Sequence, residues 1–302
     1  MTGYVEASSP PSLVAHFASS LTCVGVDGVT LTRGGDQLVG ASDSGLLALR
    51  RAAQSAHLCA DVLVSNWDNS INDFSPAIAS RLLGSPTNVA RVAHALATLV
   101  TRGAWSGVTI DLESLSRADA GGLVALAHDL RVDTPANADL AIDVSATTSA
   151  AGYLAAGYDL GALSRDARIV LMAYDDHGPT WSGPGPIGPL AWQRASLAAL
   201  LASVPASQVD LGVAGYGYTW PARHVHAGVT LSDAGARRLV FQSHATARFD
   251  AAAGEWTARL ASGTVVWWSD GRSYRLRVAL ARAFHLHGLA VWELSSIDSL
   301  GP

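Results

Sequence analysis

Lysine is missing from this chain: all 20 of its basic residues are arginine. Without a side-chain amine there is no Schiff-base aldolase chemistry, no pyridoxal-phosphate attachment and no P-loop lysine. Cysteine is scarce too. Cys23 and Cys59 are too few for a disulfide framework and lack metal-ligand spacing. Both lie in apolar segments, so two buried free thiols are expected. No apolar run approaches the roughly 20 residues that span a bilayer, so no transmembrane helix is expected. Met1-Thr2-Gly3-Tyr4-Val5 has neither a basic n-region nor an apolar h-region, and no signal peptide is visible. Neither sign of charge forms a long run. A net charge of −5 without a basic face argues against nucleic acid or an anionic membrane as partner and favours a neutral or polar ligand. Internal repeats and low-complexity linkers are also lacking, which argues against a second independent domain.

What remains is a chain of 302 residues, 49% of them hydrophobic, long enough for one large barrel or two ordinary domains. Apolar or alternating runs recur along it. Expected strands are Gly3 to Glu6, Thr22 to Leu31, Asp61 to Asn66, Gly107 to Glu113, Asp139 to Ser145, Arg168 to Tyr174, Val209 to Tyr216 and Leu289 to Leu294. Helical patterns lie between them: Ser44 to Leu58, Asn88 to Arg102, Ala118 to Arg131, Leu190 to Ser203 and Arg272 to His287. In the second of these, Val89, Val92, Ala93, Leu96, Leu99 and Val100 form one stripe. Strands alternating with helices imply a parallel sheet, and eight of them imply an α/β fold closed as a (β/α)8 TIM barrel. One domain is expected over residues 1 to 302. The connection before the last strand is too long for a single helix. It reads as a small α+β insertion over 221 to 263, with a helix at Ser232 to Gln242 and a hairpin of Thr246 to Asp250 with Glu255 to Leu260.

The alternation in Gly107-Val108-Thr109-Ile110-Asp111-Leu112-Glu113 carries the chemistry. As a strand, it sends Gly107, Thr109, Asp111 and Glu113 to one face and Val108, Ile110 and Leu112 to the other. Two unpaired acids on one face are costly unless a site uses them. Two residues along a strand separate Cα atoms by about 6.6 Å, which neither establishes nor excludes an inverting carboxylate pair. Barrel active sites lie at the C-terminal strand ends. The polar and aromatic residues expected there are Asp111 and Glu113, Tyr174 and Asp175, Tyr216, Tyr218 and Trp220, Trp292, and Asn66, Trp67 and Asp68. Acids among tyrosines and tryptophans suit a sugar, because aromatic faces stack on pyranose rings and a carboxyl can protonate a glycosidic oxygen.

These residues give the chain a resemblance to glycoside hydrolase family 18, the chitinase-like family. The family's fourth-strand signature has aspartates at relative positions 1, 4 and 6 and a glutamate at 8. Laid on Ser106 to Glu113, it retains Asp111 and Glu113, while Ser106 and Thr109 replace the other two acids. The sixth-strand Met-x-Tyr-Asp is intact as Met172-Ala173-Tyr174-Asp175, and the eighth-strand tryptophan is Trp292. Further segments, Gly183-Pro184-Gly185-Pro186, Gly215 to Trp220 and Val266 to Asp270, make the chain similar to the spore cortex-lytic branch of peptidoglycan N-acetylglucosaminidases, without the cell-wall-binding repeats common there.

The resemblance implies substrate-assisted catalysis, an exception to the two-carboxylate scheme. Glu113 would be the acid, Asp111 the partner of the substrate's acetamido N–H and Tyr174 the donor to its carbonyl. Asp175 would orient the sugar and Trp292 would floor it. Asn66, Tyr216, Tyr218 and Trp181 are further candidates for substrate binding. Tyr216, Tyr218, Trp181, Trp220 and Trp268 fit subsite lining and rim packing about equally well. No metal and no cofactor is expected. The implied partner is a polysaccharide or oligosaccharide containing N-acetylglucosamine, peptidoglycan favoured over chitin. The implied location is secreted or cell-wall associated, with a cytoplasmic one still open. Two other readings stay open: a carbohydrate-binding, lectin-like member that has lost catalysis, and a metal-dependent barrel hydrolase. His224-Val225-His226 and His285-Leu286-His287 would serve the last, but neither lies at a C-terminal strand end. Gly183 to Gly188 fits G-x-G-x-x-G in form only, since its prolines remove donors and no strand-turn-helix surrounds it.

Overall fold

The computed structural model describes residues 1–223 and 226–300. Eight parallel strands form the centre: β1 (Thr2–Glu6), β2 (Cys23–Leu31), β3 (Cys59–Ser65), β4 (Gly107–Asp111), β5 (Asp139–Ser145), β6 (Arg168–Met172), β7 (Val209–Ala214) and β8 (Gly288–Trp292). They pair in that order, and β1 joins β2 on one side and β8 on the other, which closes the barrel. This is the (β/α)8 barrel that the alternation of strands and helices implies.

The helices start where the local chemistry dictates. Ser75 and Ser85 each precede a proline and cap Pro76–Leu83 and Pro86–Gly103, their hydroxyls accepting from Ile78 N and Asn88 N. Asp43 caps Ser44–Ser55, and Asp270 caps Gly271–Ala283. The apolar stripe of the 86–103 helix, with Val89, Val92, Ala93, Leu96 and Val100 all buried, packs into the layer between helices and barrel. Val108, Ile110 and Leu112 lie in that same layer. Inside the barrel, Tyr4, Leu63, Ala141, Val170 and Ala290 form a small separate core beneath Trp292.

Strand ends are where expectation and structure part. β4 stops at Asp111, β6 at Met172 and β7 at Ala214, so Glu113, Tyr174 and Tyr216 all lie past the ladder. Tyr216–Trp220 is a strand of its own, split from β7 at Gly215, whose N–H donates to Trp292 O at 2.7 Å. It belongs to a five-stranded antiparallel sheet ordered 230–232, 216–220, 265–268, 255–259, 248–250, with the Asp233–Gln242 helix against it.

The two cysteines are not free thiols. Cys23 of β2 and Cys59 of β3 are register partners, their Cα atoms 4.5 Å apart, and they form a disulfide. Each cysteine begins its strand, and only the pairing of β2 with β3 brings the two together. Of the histidines, His224 lies outside the described residues and His226 is exposed. His287 pairs with Asp210 at 2.8 Å at the N-terminal end of the barrel, opposite the candidate site.

Candidate active site

The C-terminal mouth holds a cavity of about 630 Å³ whose walls include Glu6, Asp27, Ser65, Trp67, Phe74, Asp111 and Trp292. A smaller space of about 220 Å³ is lined by Glu113, Ser145, Met172, Tyr174, Asp175 and Trp192. The first volume is ordinary for a small-molecule site. No basic side chain lines either space among the described residues.

Glu113 sits two residues beyond Asp111 and just before Ser114, a non-glycine residue at φ +56°. Asn66 sets its position. The Asn66 amide oxygen accepts from Glu113 N at 2.9 Å, and its Nδ2 donates to Glu113 O at 2.9 Å and to Ser75 O at 3.0 Å. Asn66 is fully buried, so it grips the backbone of Glu113 and presents no free amide to a ligand. Burial, with Asp175 and Asp73 nearby, pushes the Glu113 carboxyl up to about 7. A group poised there holds a proton in neutral solution and can still release it.

Asp111 is 6% exposed, and its Oδ1 is buried with no hydrogen-bond partner. Burial, then the charges of Glu113, Asp143 and Asp27, raise it well above the carboxylate range. Asp27, the register partner of Glu6 on the adjoining strand, is raised to about 6 by burial and by Glu6. Thr109, also facing inward, is buried near the Tyr4 hydroxyl.

Tyr174 and Asp175 leave β6 with Asp175 at φ +65°, a left-handed backbone uncommon for aspartate and the kind of local strain found at functional sites. Burial raises Tyr174 well above the usual phenol range, so its hydroxyl remains a donor. Asp175 Oδ1 accepts from Tyr216 Oη at 2.7 Å and from Tyr218 Oη at 2.8 Å. Both tyrosines are buried and spend their donors on Asp175, which they orient. Trp292 faces the cavity above Tyr4, with ring centroids 5.9 Å apart. Trp181 is 54% exposed and meets Tyr218 edge to face on the rim. Trp220 and Trp268 are buried packing residues.

Three features escape a reading of the sequence. Glu6 and Asp27 line the larger cavity, and Asp143 of β5 is a buried acid facing the barrel interior, its Oδ1 accepting from Tyr4 Oη at 3.3 Å. The signal for Asp143 was present as an acid at an alternating inward position of Asp139–Ser145, but its neighbours depend on the register of β5 against β4. The remainder of the Gly-Pro segment also finds its role. Ile187 N and Gly188 N donate to Glu255 at 2.7 and 2.8 Å, and Glu255 is paired in turn with buried Arg277 at 3.1 Å.

A closed barrel with acids and aromatics gathered at its C-terminal mouth belongs to the class of barrels that carry their sites at the strand ends. The chain belongs to the glycosyl hydrolases family 18, whose model matches residues 37–296. Among curated proteins it is similar to a Bacillus subtilis (strain 168) protein named as a sporulation-specific glycosylase, YdhD. The two are 28% identical over 237 residues, covering 76% of this chain and 56% of that protein. The chain thus spans little more than half the length of that relative. Among solved structures, a chitinase from Chromobacterium violaceum ATCC 12472 superposes with a TM-score of 0.88 at 25% identity, over 99% of this chain and 95% of that one. The Bacillus cereus spore cortex-lytic enzyme SleL shares the fold, with a TM-score of 0.86 at 19% identity over 98% of this chain and 70% of that one.

Proposed function

We propose that this protein is a retaining glycoside hydrolase that cleaves β-1,4-linked N-acetylglucosamine glycans by substrate-assisted catalysis, with peptidoglycan the favoured substrate and chitin or chito-oligosaccharide the alternative. The observation that carries the reading is Glu113, a carboxyl raised to about 7, held by Asn66 in the wall of the smaller space with Tyr174 and Asp175. In the proposed reaction the acetamido carbonyl oxygen attacks the anomeric carbon as the glycosidic C–O bond breaks, and Glu113 gives its proton to the departing oxygen. Water then opens the oxazolinium intermediate at the same carbon, and Glu113 takes a proton back, with net retention. Asp111 meets the acetamido N–H, the Tyr174 hydroxyl donates to the carbonyl, and Trp292 stacks beneath the ring. Asp175, held by Tyr216 and Tyr218, orients the sugar, and Trp181 flanks the site from the rim.

Two further observations support the assignment. Walls without a basic side chain suit uncharged glycan rings. The Cys23–Cys59 disulfide suits an oxidising compartment, which fits a cell-wall or secreted location. No helix among the described residues is long and apolar enough to cross a membrane. The names of YdhD and SleL, with sporulation and spore cortex in them, favour peptidoglycan; the chitinases keep chitin in view.

The deciding experiment is mass spectrometry of the products released from defined peptidoglycan and chitin oligomers by the wild-type protein and by Glu113→Gln. Wild-type cleavage next to N-acetylglucosamine is expected, with turnover in the variant lowered by on the order of 10³-fold or more while glycan binding persists. Undiminished cleavage by the variant would remove Glu113 from the mechanism. Binding without product from the wild-type protein would transfer the chain to the lectin-like class.

A further inference from the structure

This inference deepens the proposed function and rests on it. Strands β4 and β5 pair Gly107 with Asp139, Thr109 with Ala141 and Ile110 with Ile142, so the next position along matches Asp111 with Asp143. Both carboxyls face the barrel interior and are 6% and 4% exposed. Their surroundings differ. Burial and then Glu113 raise Asp143 well above the carboxylate range as well, but it accepts the Tyr4 hydroxyl of β1 at 3.3 Å, and that bond and Arg168 of β6 work the other way, against Asp210 of β7. Asp111 has no such help. Its Oδ1 lacks a partner, and the charges acting on it are Glu113, Asp143 and Asp27 of β2, all acidic. The phenols of Tyr174 and Tyr158 also adjoin these acids and stay neutral.

Two neighbouring carboxyls buried this deeply resist ionising together. The asymmetry sets the preference: the Tyr4 donor and the Arg168 cation favour the charge on Asp143, whereas Asp111, unpartnered and ringed by acids, holds the proton more readily. Asp111 finds no second acid lower on its own strand face, where Thr109 stands, so the neighbouring strand supplies it.

We propose that Asp143 is the positioning residue for Asp111, sharing one proton with it: the proton rests on Asp111 and passes to Asp143 as positive charge develops on the substrate's acetamido group. In that step an Asp111 oxygen releases the proton and an Asp143 oxygen takes it. The pair keeps a single negative charge throughout, and the charge arrives on Asp111 beside the forming oxazolinium when it is needed.

Asp143→Asn tests this. In protein carrying ¹³C-carboxyl aspartate, the titration midpoint of Asp111, assigned with Asp111→Asn, should fall by about one pH unit or more when the neighbouring charge is removed. An unmoved midpoint would overturn the proposal whatever the substrate proves to be. On the chito-oligosaccharide or peptidoglycan fragment that the wild-type protein cleaves, kcat should fall about 10- to 100-fold with KM within about twofold, and the acidic limb of the kcat profile should shift to lower pH. Thr109→Asp in the Asp143→Asn background returns a carboxyl to the throat and should recover at least about tenfold of the lost kcat. A wild-type pH profile in Asp143→Asn, or no recovery in the double variant, counts against the shared proton. If Asp143→Asn fails to fold, Tyr4→Phe removes the donor instead and should move the Asp111 midpoint in the same direction by a smaller amount; no movement overturns the proposal. Failure of the proposed function reads differently: the wild-type protein would cleave neither glycan, while the Asp111 midpoint would still depend on Asp143.

Discussion

Asn66 shows how a polar residue at a strand end can serve a site without touching a ligand. Its oxygen and nitrogen are both engaged by the backbone of Glu113, so its work is to fix where the acid stands. Asn66→Ala should therefore lower kcat by about 10- to 100-fold with little change in KM, as expected when a reacting group is misplaced by about 1 Å; steady-state kinetics beside a circular dichroism check of the fold would show it. Glu113 itself is held at a cost. Its carboxyl titrates at about 7 in the fold against 4.5 as the ordinary value, so between those values the folded protein binds more protons than the unfolded chain and stability falls as pH rises. The contribution is intact below about pH 4 and is lost as pH climbs through about 7. A glutamine side chain at this position has no carboxyl to titrate. The Glu113→Gln variant should accordingly be more stable than the wild-type protein at pH 8 by on the order of 3 kcal/mol and indistinguishable from it at pH 4, as read by denaturant melts at the two pH values.

At the scale of elements, the loop after β6 is braced by the segment inserted before β8. Glu255, in the strand Glu255–Arg259, takes two loop N–H groups, and Arg277 of the Gly271–Ala283 helix pairs with it while donating to Gly188 O at 2.5 Å and Ala253 O at 3.3 Å. The pair is 1% and 3% exposed, so removing one partner strands a buried charge. Arg277→Met should cost about 3 to 5 kcal/mol, and Glu255→Gln with Arg277→Met together should cost less than Arg277→Met alone. Urea denaturation of the three proteins tests this. The flanking strand and helix were legible in the sequence, but their contact was not. Gly183 to Gly188 therefore resembled only a dinucleotide loop that fails its own context, and its partner lay 67 residues away in the chain.

At the scale of the whole molecule, the Cys23–Cys59 disulfide crosses the first turn of the barrel between residues 36 apart. Closing a loop of that length limits the unfolded chain and should contribute about 3 to 4 kcal/mol, so reduction or Cys59→Ser should lower Tm by several degrees in a calorimetric scan. The sequence alone determined the barrel, because alternation in eight segments and helical periodicity between them are local properties. It also marked Asp111, Glu113, Tyr174, Asp175 and Trp292, which lie on segments whose order along the chain suffices to place them at one mouth. Only the tertiary structure decided what depends on register and closure. Cys23 meets Cys59, Asp143 comes to stand beside Asp111, Tyr216 and Tyr218 turn their hydroxyls to Asp175, and Asn66 closes on the backbone of Glu113. Each of these pairs joins residues on different strands or loops. Their meeting is set by how the strands align and where each ladder ends, and neither is written in any single stretch of the chain.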